Sequence, residues 1–370
     1  MSLDGDKQKE VDSGEPASRN GPGMMSRILN TVGLPRLTVG GFVVVLFVLG
    51  RIMGLPLTNL LTNSISRFGM NAVMVLAMVP GIQCGIGPNF GLPIGLLAGL
   101  IGMVSALELG FIGFEGLMLS MAIGAGLGAL LGIGYGLFLN KVKGQEMMVG
   151  TYAGFAAVSL MCISWLMLPF KNPELIWVLG GKGLRMTISL KDTFGHALDK
   201  FWNFQIGGFV VPTGLLGVVF ILAAAYKLFE MTKLGMAMDL AGQNERFARA
   251  AGVDCDRMRV VGTAISTALG AIGIIVYAQS YGFIQLYTAP LLMAFPAVAS
   301  VLIGGATPSE ASVSNAMVGA LLFQSLLATT VPVAQTVVGG DISEIVRLIV
   351  SNGMVLYALT RGHGGEAANG

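Results

Sequence analysis

The chain has 370 residues, of which 54% are apolar and 11% charged, against roughly a quarter charged in ordinary soluble domains. That composition excludes a soluble globular fold, and a formal net charge of +2 offers no electrostatic footprint for nucleic acid. Charge concentrates in 1–36, 171–200 and 230–259; the apolar remainder needs a hydrocarbon solvent and, at about 20 residues per crossing, supplies about ten membrane helices.

Residues 1–36 begin polar, mixed in charge and rich in Gly, Ser and Pro, without the apolar core of a cleaved signal, and read as a disordered cytoplasmic tail. The end of that tail, Met24 to Leu34, is mildly amphipathic and suited to lie on the membrane surface. The predicted spans are about 37–54, 69–86, 92–109, 116–139, 149–169, 209–229, 259–281, 290–304, 314–333 and 344–360. The fold class is therefore all-α, a polytopic membrane protein with one transmembrane domain over 37–361 and a short tail over 362–370. Ten crossings put both termini on one side. Lys141, Lys143, Lys227, Lys233, Arg246, Arg249, Arg257, Arg259 and Arg361 make that side the cytoplasm, because basic residues resist translocation. Residues 171–208, with Trp177, Trp202 and several lysines, then form an outside loop, which either contacts a partner or lies flat on the membrane. Small residues recur every four positions at Gly91, Gly95 and Gly99, at Gly124, Gly128, Gly132 and Gly136, and at Gly262, Ser266 and Gly270, rows that let helix backbones approach closely in lipid.

Catalytic chemistry finds no support in these residues. His196 falls in the outside loop and His363 in the C-terminal tail, and the cysteines Cys84, Cys162 and Cys255 are far apart, so neither a metal set nor a nucleophile with its base is recognisable. No cofactor is expected. Arg51, Glu108, Glu344 and Arg347 sit near predicted span ends, so a proton relay lacks groups, although carbonyls of a broken helix keep a sodium-coupled carrier open. Two irregular segments fall at membrane depth. Pro80 to Gly95 interrupts a helix with prolines and glycines, which is tolerated only where backbone is buried in protein or lines a cavity. Gln83, Cys84, Asn89 and Phe90 are thus candidates to face a polar, uncharged solute, a tight helix crossing being the alternative. Tyr277 to Pro290 offers Gln279, Tyr281 and Gln285 at the outer mouth, or an interfacial aromatic belt.

The charged segment 230–258 contains good helix formers from Asn244 to Ala251 with Gly252 as a C-cap, which describes a surface helix that either docks a partner or is simply solvated. Its sequence GQNERFARAAGVDCDRMRV, Gly242 to Val260, resembles the cytoplasmic coupling loop of permease subunits of bacterial ATP-binding-cassette importers of the ribose and simple-sugar type. Gly242, Asn244, Gly252 and Val253 match that loop at its spacing, with Glu245 and Arg249 one helical turn apart between them. GALLGIGYGLFLNKVKGQEMMVG, TALGAIGIIVYAQ and SVLIGGATP resemble further family segments in the same order, so the likeness runs over roughly 37–361. The sequence departs from the family at Gly87, at Pro296 and over Ser309 to Asn315. The resemblance implies an inner-membrane transport subunit, not itself an enzyme, that moves a small neutral solute by alternating access. A monosaccharide such as ribose is the expected cargo, with a nucleoside or an ion-coupled carrier as alternatives. It also implies a pair of cytoplasmic ATP-binding subunits, a periplasmic or lipid-anchored solute-binding protein and a second permease copy or paralogue in the lipid.

Overall fold

The computed structural model describes residues 34–364 apart from 174, 177–182, 202 and 207; the amphipathic segment before Leu34, Trp177, Trp202 and residues 365–370 lie outside them. In chain order the helices are α1 Leu34–Ile52, α2 Leu57–Leu76, α3 Met78–Gln83, α4 Leu92–Glu108, α5 Gly113–Leu139, α6 Glu146–Met167, α7 Ala197–Lys200 and α8 Thr213–Glu230. They continue with α9 Lys233–Gln243, α10 Glu245–Ala250, α11 Cys255–Tyr281, α12 Ala289–Leu292, α13 Ala294–Ile303, α14 Val313–Val338 and α15 Gly340–Gly364. Four short strands, β1 Thr187–Ser189, β2 Asn203–Ile206, β3 Phe209–Pro212 and β4 Phe283–Gln285, form two antiparallel pairs, β1 with β4 and β2 with β3.

Eight helices are long and apolar enough to cross a membrane, and Leu92–Glu108 and Ala289–Ile303 are shorter apolar helices. Each of the ten predicted spans coincides with one of these. The largest departure is the second, which begins at Leu57 rather than 69 and continues through α3 to Gln83. Thr58, Asn59, Thr62, Asn63, Ser64 and Ser66 depress the hydropathy there, yet two of them are bonded: the Ser64 hydroxyl donates to Leu60 O at 2.8 Å within the helix, and Thr62 Oγ1 accepts from Val210 N of β3 at 3.2 Å. Arg67 consequently lies inside a span.

The ten crossings fall into two runs of five with the same length pattern. In the first, the second and fourth crossings each have 27 residues and the third 17; in the second, the corresponding helices have 27 and 26, with α12 and α13 as the short third crossing. An odd number of crossings turns the second run upside down relative to the first, the arrangement of inverted repeats. Packing follows this symmetry, with α5 lying along α11 and α14 along α2. These helices form the interior with α4 and α13. By contrast α1, α6, α8 and α15 are mostly exposed, and their outward side chains, among them Val44, Ile163, Ile221 and Leu356, are apolar as a lipid-facing surface requires.

The glycine rows pack on one another. Gly95 of α4 and Gly128 and Gly132 of α5 abut Thr267 of α11, whose hydroxyl donates across the crossing to Gly128 O at 2.8 Å, an interhelical bond open only at such close approach. At one end of the bundle lies the strand lobe. Within it Leu184, Ile188, Leu190, Phe194 and Leu198 are buried, and β1 ties the α6–α8 connection to β4 just beyond α11. At the other end lie α9 and α10.

Candidate coupling site and translocation path

The segment from α9 to the start of α11 is built from capping residues. Thr232 caps α9 by accepting from Gly235 N, Asn244 caps α10 by accepting from Phe247 N at 3.0 Å, and Asp254 caps α11 by accepting from Arg257 N. Gly252 ends α10 with φ +84°, a left-handed turn in which its N–H donates to Arg249 O and Val253 N–H to Ala248 O. The matching residues Asn244, Gly252 and Val253 are thus accounted for as helix punctuation. Gly242 has another role: a Cβ there would overlap the Gln83 carbonyl, so α9 rests directly on the turn that follows α3. Glu245 and Arg249 do not stand free. Lys143 contacts Glu245 at 3.1 Å and Asp256 at 2.5 Å, and Arg249 contacts Glu245 at 2.6 Å and Asp256 at 3.2 Å, a network of four exposed charges joining three segments. The outward face instead presents Phe247, 60% exposed, beside Arg246.

The polar residues predicted along the path separate into three groups. Gln83 sits at the end nearest α9, where its amide donates to Glu230 Oε1 at 2.7 Å and to Ala311 O at 2.9 Å and accepts from the Tyr226 hydroxyl. Cys84 beside it is buried against Gly262. From Gly85 the chain climbs back into the bundle: Arg259 donates to Gly85 O, while Asn89 donates to Ser266 Oγ at 2.8 Å, seven residues or about 10 Å further along α11. The remaining amide oxygen of Asn89 has no partner among the described residues, and Phe90 packs on Phe295 with ring centroids 5.7 Å apart. Gln279, Tyr281 and Gln285 lie in the strand lobe, about 20 Å along α11 from Ser266. There Gln279 is fully buried and accepts from Leu198 N, whereas Tyr281 is exposed and stacks on Tyr277. The seven residues therefore do not share one chamber.

Two features escape sequence reading. One is the buried pair of Arg259 and Glu146, 2.5 Å apart with side chains 7% and 12% exposed, which with Asn140 and Gly85 O ties α11 to α5, α6 and the turn after α3. The other is a cavity of about 190 Å³ among α2, α11, α13, α14 and α15 that receives Arg67, Tyr277 and Arg347. The expectation that the spans hold no ionisable group away from their ends is corrected here, because α2 starts twelve residues before the predicted span. Counting the helical period back from Phe68 through Ser64 and Leu60, all three buried, was the signal for it.

With this geometry in hand, comparison with known proteins settles the family. The family described as branched-chain amino acid transport system / permease component matches residues 31–359. The chain belongs to that family. The permease is a multi-pass protein of the inner membrane, a transport component rather than a catalyst. It is similar to the ribose import permease protein of Escherichia coli (strain K12), 24% identical over 270 residues, 71% of this chain and 75% of the relative. It is also similar to the autoinducer 2 import system permease protein of Yersinia pestis (strain Pestoides F), 27% identical over 208 residues, 54% of this chain and 56% of the relative. A solved structure titled an inward-facing conformation of a putative metal-chelate type ABC transporter overlays with TM-score 0.45 at 15% identity, covering 87% of this chain and 98% of that one.

The charge network of the permease has a definite pH window. Hydrogen bonds from Arg249 and then Lys143 hold the Glu245 carboxyl below its usual range, and bonds to Asp256 and Glu245 hold the Lys143 ammonium above its own. The stabilisation from Glu245 is complete above its unfolded pKa of about 4.3 and is lost as pH falls through the folded value. That from Lys143 is complete below about 10.4 and is lost as pH rises through its folded value. The loop is therefore expected to keep one geometry between about pH 5 and 9. Amide hydrogen exchange over 240–256, corrected for intrinsic rates, is the check: protection falling within that window would show that another titrating group governs the loop.

Proposed function

We propose that this chain is the transmembrane subunit of an ATP-driven importer carrying a small polar solute of the monosaccharide class by alternating access. A pair of ATP-binding subunits docks on the 230–258 loop, which faces the cytoplasm with both termini, as the basic residues of that end require. The strand lobe faces outward and receives the solute-binding protein, and a second copy or paralogue completes the path. The seat of Gly242 on the turn after Gln83 carries this reading: force applied to α9 reaches backbone inside the bundle without passing through a flexible side chain. Arginine stays protonated at any physiological pH, so Arg67 supplies no proton relay and ATP remains the natural source of drive.

Co-purification with the ATP-binding subunit of its own operon tests the proposal. Stable recovery is expected for the native chain and loss for Glu245→Ala with Arg249→Ala, in which the network opens. Phe247→Ala should weaken docking while leaving the fold unchanged, as an exposed aromatic at an interface does. A native chain that binds no such subunit yet moves solute in vesicles without ATP would establish an ion-coupled carrier instead.

A further inference from the structure

The cavity around Arg67 opens among helices that are long and apolar enough to span a membrane, and Arg67 itself is exposed. Arg67 is ten residues into α2 from its lobe end and Arg347 seven residues into α15, depths of about 15 and 10 Å. Arg347 pairs with Glu344, but Arg67 donates to no acceptor among the described residues. Gln324 is 4% exposed, lines the cavity, and its amide likewise has no partner among them. Asn71 uses its NH2 on Arg67 O, and Asn71, Tyr277 and Ser351 line the same space. With Arg67, Arg347 and Glu344 as the nearby fixed charges, the site carries one net positive charge surrounded by unspent amides and hydroxyls. A guanidinium retained at such depth marks a ligand path by its cost, and its planar fork matches a carboxylate or phosphate.

We infer that the Arg67 cavity is the solute subsite and that the solute is a small hydroxylated anion, a sugar acid or sugar phosphate, whose acidic group lies on Arg67. This rests on the importer reading and narrows its solute from monosaccharides in general to acidic ones. The cavity, about 190 Å³, has room for one such group and its neighbouring hydroxyls. Met74, Met293 and Leu327 give the chamber an apolar wall for the carbon faces of the solute. A phospholipid headgroup offers the same acidic chemistry, and the experiment separates the two sources.

The full-length permease in phosphatidylcholine nanodiscs is heated with millimolar ribose, ribonate or ribose 5-phosphate. At least one of the two anions is expected to raise the melting temperature and ribose to leave it unchanged. Arg67→Gln should weaken anion binding about ten- to hundredfold, as loss of a charge-assisted hydrogen bond does, with Arg67→Lys recovering part. Gln324→Ala, which removes no charge, should weaken it less and provides a second variant if Arg67→Gln does not fold. The inference is overturned if ribose is as effective as the anions, if the anion shift survives Arg67→Gln, or if no probe has an effect. It is also overturned if phosphatidylglycerol in the disc is retained by the native chain alone and abolishes the anion shift. Co-purification of the ATP-binding subunit is scored on the same samples: retained docking with no anion effect refutes only the solute assignment, whereas lost docking in the native chain refutes the importer.

Discussion

Glu146→Gln is expected to destabilise the folded permease by about 3–5 kcal/mol, because it leaves the guanidinium of Arg259 buried without its counter-charge. Arg259 donates to Glu146, Asn140 and Gly85 O from a position with almost no access to solvent, so a neutral amide cannot replace the lost charge. The effect should be read as a fall in thermal stability in detergent. A matched change in the exposed network, Glu245→Gln, should cost far less, because solvent screens that carboxylate. Glu146→Gln combined with Arg259→Met should recover much of the loss, since removing both members of a buried pair takes away the desolvation cost along with the attraction. A loss for Glu146→Gln no larger than for Glu245→Gln would mean that water reaches Arg259 in the folded protein.

Gly242→Val is expected to abolish solute-stimulated ATP hydrolysis while leaving the ATP-binding subunit bound. The new side chain would overlap the Gln83 carbonyl and press on Gly85 N, backbone atoms that cannot rotate aside, and overpacking of this kind costs about 1–3 kcal/mol. α9 can escape by lifting off the turn after α3. Phe247, on the outward face of α10, is untouched by that movement, so docking persists while the mechanical link is broken. Measuring hydrolysis with and without the solute-binding protein, in complexes of equal subunit content, separates these effects. Full stimulation in the variant would show that force reaches the bundle by another route.

The helices were legible because lipid imposes a simple rule: a span must be apolar and close its own hydrogen bonds, and ten runs of sequence satisfy it. The start of α2 was not, because the polar stretch from Thr58 to Arg67 looks like a loop to any average of hydropathy although Ser64 and Thr62 find partners in the helix and in β3. That displacement hid Arg67 and also misjudged depth around Gln83, which the structure puts beside α9. The 230–258 loop was readable because three of its four signature residues, Asn244, Gly252 and Val253, close helix ends, whose chemistry is local. The roles of Glu146, Arg259 and Gly242 depend on contacts between segments about 100 or more residues apart, and no local pattern marks them.

The inverted pairing of the two halves also bears on how the protein is made. Five crossings carry the chain to the membrane face opposite its start, so the second half inserts in the opposite sense to the first. Lys227 at the end of α8, Lys233, Arg246 and Arg249 on α9 and α10, and Arg257 and Arg259 at the start of α11 cluster after the first crossing of that second half, where basic residues resist translocation. The residues proposed to receive the motor thus also carry the positive charge that the proposed orientation of the second half requires.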